Sequence, residues 1–199
     1  MGCLKNVIRA IFITLAIVGF LALGGKDLIS GLINNFFNPS HEVMLERAKK
    51  VGDFSRIDEE FEIEKAAGIM GYNAVIAEHK ASGQKMLVVD SKDKTILTKE
   101  DIQSDNVEEK LHDALKKIKY QALSVDDLRV TKRGYMSSYG EEIPYVKFEA
   151  RVKKLPIGDV GGIVSVAETS DGSSRLLISA NEKSKYSQLI SDEFFRKIK

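Results

Sequence analysis

Residues 11–25 read Ile-Phe-Ile-Thr-Leu-Ala-Ile-Val-Gly-Phe-Leu-Ala-Leu-Gly-Gly, an uncharged, mostly apolar run behind Lys5 and Arg9. With Val7 and Ile8 the apolar stretch covers residues 7–25 and is interrupted only by Arg9. A helix of that length just spans a hydrocarbon core of ~30 Å. The same residues also satisfy a secretory signal: a basic start, an apolar middle, and Ala22-Leu23-Gly24 as a small-residue site for cleavage near Gly24, before Gly25. A buried helix of a soluble domain fits less well, because the run sits at the extreme N-terminus behind a basic flank. After it, Lys26 is the only base before Arg47, so the positive-inside rule orients the N-terminus to the cytoplasm and the C-terminal bulk outside. The expectation is a single-pass signal-anchor at residues 1–25; the alternative is a secreted chain.

Cys3 is the only cysteine, so no disulfide forms within one chain and the exported portion must stand on its core. A lipoprotein signal needs a cysteine at the end of the apolar run, and Cys3 lies before it. Met1-Gly2-Cys3 is similar to an acylation start, but Asn6 stands where Ser or Thr is preferred.

Residues 26–52 read as a helical stem. Leu28, Ile29, Leu32, Ile33, Phe36 and Phe37 recur at amphipathic-helix spacing, and Asn38-Pro39 stops that helix. Ser40 is placed to cap a short helix from His41 to about Val51, and Gly52 to end it. Residues 53–199 are enough for one domain with its own core. Thirty basic against 29 acidic residues, with no basic stripe, argue against a nucleic-acid partner.

Within 53–199, Phe61 and Ile63 open a first strand, and Gly68 and Gly71 mark a bend. Tyr72–Lys80 and Lys85–Ser91 flank Ala81-Ser82-Gly83-Gln84, which is hairpin punctuation. The unbroken Met86-Leu87-Val88-Val89 predicts a central strand covered on both faces. Val107, Leu111, Leu115 and Ile118 predict a helix over 105–119, with Asp105 and Glu108 as a capping box. Leu123–Val130 returns to strand character, and Gly134–Gly140 reads as a turn or tip. Tyr145–Val152 alternates most clearly. Gly161-Gly162 precedes a strand over 163–168, Ser170–Ser173 turns into one over 175–180, and Ser191 or Asp192 starts a last helix that buries Phe194, Phe195 and Ile198. Short connections between consecutive strands require antiparallel pairing. The predicted class is α+β: an antiparallel β-sheet with helices packed on it, preceded by the N-terminal transmembrane or signal helix.

The hairpin at 72–91, the helix at 105–119, the strands at 145–152, 163–168 and 175–180, and the closing Ser191-Asp192-Glu193-Phe194-Phe195-Arg196-Lys197-Ile198 together resemble the PsbP/Mog1-like fold family over residues 53–199. That family includes exported and membrane-attached bacterial proteins, photosynthetic accessory proteins and a small-GTPase binder. The resemblance implies a binding or assembly module more than an enzyme, although a shared fold transfers no function by itself. It carries over no site residue.

No catalytic, cofactor or metal motif emerges. His41 and His112 share no ligand spacing with each other or with Cys3. Strand alternation places His79 on the face opposite Glu78 and Lys80. Ser82 and Ser137 lack a Gly-x-Ser-x-Gly setting, and Gly158–Gly162 lacks a phosphate-loop Lys-Ser/Thr. Asp90-Ser91-Lys92-Asp93 lacks the further ligands of a calcium loop. Tyr135, Tyr139 and Tyr145 cluster around Gly134–Gly140 and form the candidate partner-binding tip, with cross-strand packing as the competing role. The predicted function is a membrane-tethered, extracytoplasmic, non-catalytic binding or assembly module. It meets the membrane through residues 7–25 and a protein or envelope component through its domain. The alternative is a secreted or anchored enzyme of the hydrolase class that uses His79 with Glu78 or Asp90.

Overall fold

Seven strands in one antiparallel sheet, with helices on both faces, form the computed structural model of this chain. It describes residues 41–69, 72–90, 97–117, 125–152, 159–170 and 172–199. The apolar run at 7–25, Cys3 and the amphipathic segment at 26–37 lie outside these residues. Among the described residues no helix is long and apolar enough to cross a membrane.

The elements in chain order are α1 (His41–Lys49), β1 (Phe61–Ile69), β2 (Tyr72–His79), β3 (Lys85–Asp90), α2 (Lys99–Gln103), α3 (Val107–Lys117), β4 (Val125–Ser138), β5 (Glu141–Val152), β6 (Asp159–Glu168), β7 (Ser174–Glu182) and α4 (Gln188–Lys197). Two meanders, β1-β2-β3 and β4-β5-β6-β7, meet where β3 pairs with β7, giving the order β1-β2-β3-β7-β6-β5-β4. The chain leaves β3 near the middle of the sheet and re-enters at its far edge as β4. That crossover carries α2 and α3 over one face.

Alternation divides the core in two. Leu97, Ile102, Val107 and Leu111 from the crossover pack on Val146, Ala150, Val160, Val164, Val166 and Leu176. On the opposite face, Ala48 and Val51 from α1 and its exit join Phe194, Phe195 and Ile198 of α4 over Val75, Ala77, Met86, Val88, Ile163 and Leu177. The last helix of the expected stem is therefore built into the domain core. The predicted hairpin and central strand are present: every residue of β3 is buried, as a strand covered on both sides requires.

Several local readings are corrected. The helix predicted over 105–119 is present as α3, and an unpredicted short helix, α2, precedes it with a capping box of its own: the Thr98 hydroxyl accepts from Asp101 N–H while the Asp101 carboxylate accepts from Thr98 N–H. From Val125 the strand expected over 123–130 runs on through residue 138 of the expected tip as one strand, β4, so the turn shrinks to Tyr139 and Gly140, both at positive φ. Pairing with β5 carries the chain straight through Gly134. Gly68 lies inside β1, and Gly161-Gly162 lies inside β6. Gly162 is required by packing, since a Cβ there would stand 2.3 Å from the Ser179 carbonyl oxygen and 2.8 Å from the Phe148 ring. The last helix starts at Gln188, three residues before the predicted Ser191.

Candidate functional site

The densest chemistry lies at the β2–β3 hairpin. Gly83 adopts a φ of +69°, which a glycine accepts without steric cost, and this lets the loop close as Gly83 N–H donates to the His79 carbonyl. The loop brings Ser82 back over His79. Ser82 Oγ is 2.9 Å from His79 Nδ1, Ser82 N–H donates to the same nitrogen at 3.3 Å, and Gln84 N–H donates to Ser82 Oγ at 3.2 Å. A ring nitrogen that accepts a backbone N–H carries no proton, so the neutral ring holds its proton on Nε2 and the Ser82 hydroxyl donates to Nδ1. Nε2 lies 3.6 Å from Glu60 Oε2. The ring itself is buried against Phe61, at 5.2 Å between centroids.

The carboxylate beside His79 is thus Glu60, and neither Glu78 nor Asp90. Glu60 precedes β1 and is held in place by Lys80 N–H donating to its carbonyl at 2.8 Å. Pairing of Phe61 with His79 puts the residue before one strand next to the end of the other. That register is long-range information with no trace in the local sequence.

Glu78 points to the opposite face, as alternation predicts. There Lys85, 1% exposed, is bonded to the Glu78 carboxylate and lies 2.7 Å from Glu64 Oε2. Burial pushes the Glu64 carboxyl above its ordinary range, and a hydrogen bond with the Glu78 carboxyl adds to that, against the pull of the Lys85 ammonium. One buried cation serving two carboxyls ties β1, β2 and β3 together.

Asp90 lies at the other end of β3, where Arg175 Nη1 donates to Asp90 Oδ1 at 2.6 Å and Asn73 donates to Asp90 Oδ2 at 3.4 Å. Arg175 Nε also donates to the Val51 carbonyl at 3.1 Å, and the Tyr139 hydroxyl donates to that same oxygen at 2.8 Å. Asp53 and Lys199 exchange backbone hydrogen bonds alongside, and Tyr139 N–H donates to the Ile198 carbonyl. The exit of α1, the β4–β5 turn and the chain's last residues are clasped together.

The three tyrosines do not converge. Tyr139 takes part in this clasp. Tyr145 is 4% exposed and its hydroxyl accepts from Gln188 Nε2 at 2.5 Å. Only Tyr135 faces solvent, 61% exposed on the opposite side of the sheet from Tyr145. Cross-strand and helix packing accounts for Tyr139 and Tyr145; of the three, Tyr135 alone is exposed.

A further polar knot, invisible to motif reading, fastens α4. Gln84, fully buried, has its two Nε2 hydrogens shared among Ser179 Oγ, the Ser187 carbonyl and Ser191 Oγ, and accepts Ser187 N–H through Oε1. Tyr186 shares a hydrogen bond with Ser191, and burial drives its phenol well above the usual range. Among the described residues no group of three or more His, Cys, Asp or Glu is placed to hold a metal ion. No protein-family model matches the chain, and no curated protein matches it.

Proposed function

We propose that the chain is a membrane-tethered, extracytoplasmic module that binds or assembles with a protein or envelope component and catalyses no reaction. The observation that carries this reading is the apolar run at residues 11–25 behind Lys5 and Arg9, followed within 16 residues by α1. Further support comes from how the interior polar groups are used. Arg175, Asp90, Gln84, Ser179 and Ser191 bond to one another and to backbone in ways that fasten α1 and α4 to the sheet. Membranes of the native host, washed with high salt and then alkali, should retain the protein, and its intact mass should include residues 1–25. A mass beginning at Gly25 in the soluble fraction would overturn the tether.

One observation favours the enzymatic alternative. Ser82, His79 and Glu60 stand in series as hydroxyl, base and carboxylate, the order that a serine hydrolase uses. A fluorophosphonate probe separates the two readings. Covalent labelling that is lost in both Ser82→Ala and His79→Gln would establish a nucleophilic serine; an unlabelled protein would leave the series as a hairpin clasp.

A further inference from the structure

Three side chains from three adjacent strands meet at the Lys85 amine. Lys85 and Glu78 stand directly opposite each other in the β2–β3 ladder. The β1–β2 register slips between Ile63 and Lys65, which makes Glu64 the extra residue of a bulge, and bulges re-aim the side chains they carry. Glu64 reaches past β2, so that its Oε2 lies 2.7 Å from Lys85 Nζ, while the Glu78 carboxylate is bonded to the same nitrogen. Alternation surrounds the amine with Ile76 and Leu87 on its own face, and Ala180 opposes Lys85 from β7; all three are buried. Lys85 is 1% exposed, and Glu64 is the most open of the three side chains.

We propose that Lys85 and Glu64 condense to a side-chain amide that staples β1 to β3, with Glu78 as the base. The environment of the two acids assigns their roles. Burial and a hydrogen bond with Glu78 favour the neutral form of the Glu64 carboxyl, and an amine attacks the carbon of a neutral carboxyl far more readily than that of a carboxylate. The Glu78 carboxylate takes a proton from the Lys85 ammonium. The freed lone pair on Nζ attacks Glu64 Cδ, forming the N–C bond. Glu78 then relays a proton from the nitrogen to a Glu64 hydroxyl, the C–O bond breaks and one water leaves. Glu78 ends protonated and the new amide is neutral, so atoms and charge balance with no other reactant. The fold holds the reacting groups together, which replaces the activation that a carboxyl needs in solution, and burial keeps bulk water from the product. Cys3 is the only cysteine, so no disulfide can brace the domain within one chain. An amide between Glu64 and Lys85 constrains the unfolded chain as a disulfide would. The ion-paired trio is the state from which the bond forms, and until it forms Lys85 balances the two acids electrostatically. The site is independent of the tether.

The test is a tryptic map of the full chain, held folded at pH 7.5 and then denatured, with peptides read by tandem mass spectrometry. An amidated Lys85 resists trypsin, so the expected product is a branched peptide joining Ile57–Lys65 to Ala81–Lys92. Its mass should fall about 18 Da below the sum of the two, the water lost. Glu78→Gln keeps both reacting groups and should slow its formation at least about a hundredfold, the usual worth of a positioned base. Linear peptides ending at Lys85, with no branched species after prolonged incubation, overturn the proposal. This readout uses the unaltered chain, so a variant that fails to fold does not blunt it. A branch joining Ala66–Lys80 to Ala81–Lys92 would place the bond on Glu78 and overturn the assignment of roles. Undiminished cross-linking in folded Glu78→Gln overturns the base. A dehydration that maps elsewhere in the chain overturns the site.

Discussion

Replacing Lys85 by Met probes a charge that the fold buries almost completely. Lys85 is 1% exposed and lies between Glu64 and Glu78, themselves largely buried. Met nearly matches Lys in volume, so the packing change alone costs less than about 1.5 kcal/mol. Removing the ammonium leaves two carboxyls in a low-dielectric site, and breaking a buried pair in this way costs about 3–5 kcal/mol. The cost depends on pH with a definite sign. The folded-state Glu64 carboxyl already titrates above its ordinary value of 4.5. A raised folded pKa contributes stability that is complete below the unfolded value and is lost as pH rises through the folded value. Lys85 opposes that rise, so its loss moves the upper end of the window further up and enlarges the total decline. Urea midpoints of wild type and Lys85→Met, compared at pH 4 and pH 7.5, should differ by the full cost at pH 7.5 and by little more than the packing change at pH 4. A triple variant adding Glu64→Gln and Glu78→Gln should recover most of the loss at pH 7.5. A penalty equal at both pH values, or below about 1 kcal/mol at pH 7.5, would refute the argument that Lys85 compensates buried charge.

Three further outcomes are expected. Gln84→Leu leaves the Ser187 N–H and two buried hydroxyls short of partners, which should cost about 2–4 kcal/mol and speed amide exchange in the first turn of α4 while α3 is unchanged. Gly162→Ala drives a methyl into the Ser179 carbonyl and should cost about 3 kcal/mol, whereas Gly161→Ala, whose Cβ would meet nothing closer than 3.5 Å, should be tolerated; paired thermal melts compare them. Arg175→Met removes the guanidinium that joins Asp90 to the Val51 carbonyl, and should cost about 3–5 kcal/mol and open the chain after α1 to limited proteolysis, read by peptide mapping.

Where side-chain pattern is imposed by local geometry, the chain is legible. The Ser82-Gly83 loop between β-rich runs marks the β2–β3 hairpin, because its glycine supplies the positive φ that the turn needs. The unbroken apolar run of β3 marks a strand covered on both faces. Phe194, Phe195 and Ile198 mark the buried side of α4. Thr98 and Asp101 carried a capping signal for α2 that the stronger periodicity of α3 obscured. The first half of β4 is legible, with Leu128 and Val130 alternating with Asp127 and Arg129, whereas Gly134 makes the second half of the strand read as a tip. Its extension is dictated by the ladder to β5. Gly161-Gly162 reads as punctuation in sequence, while in the fold Gly162 is a gap that the Phe148 ring fills.

The candidate sites divide along the same line. Alternation correctly separated His79 from Glu78 by face, because successive strand residues point oppositely whatever surrounds them. Which acid His79 meets was decided by the register of β1 on β2, and which base Asp90 meets by the joining of β3 to β7. By itself the sequence determined the apolar N-terminal run, the α+β class, the central hairpin and the buried face of the last helix. Those follow from periodicity within a few residues. The tertiary structure alone decided the strand order, the clasp of Val51 by Tyr139 and Arg175, the burial of Tyr145 and the exposure of Tyr135. Each depends on neighbours brought together from distant parts of the chain, and no local spacing encodes that choice of neighbour.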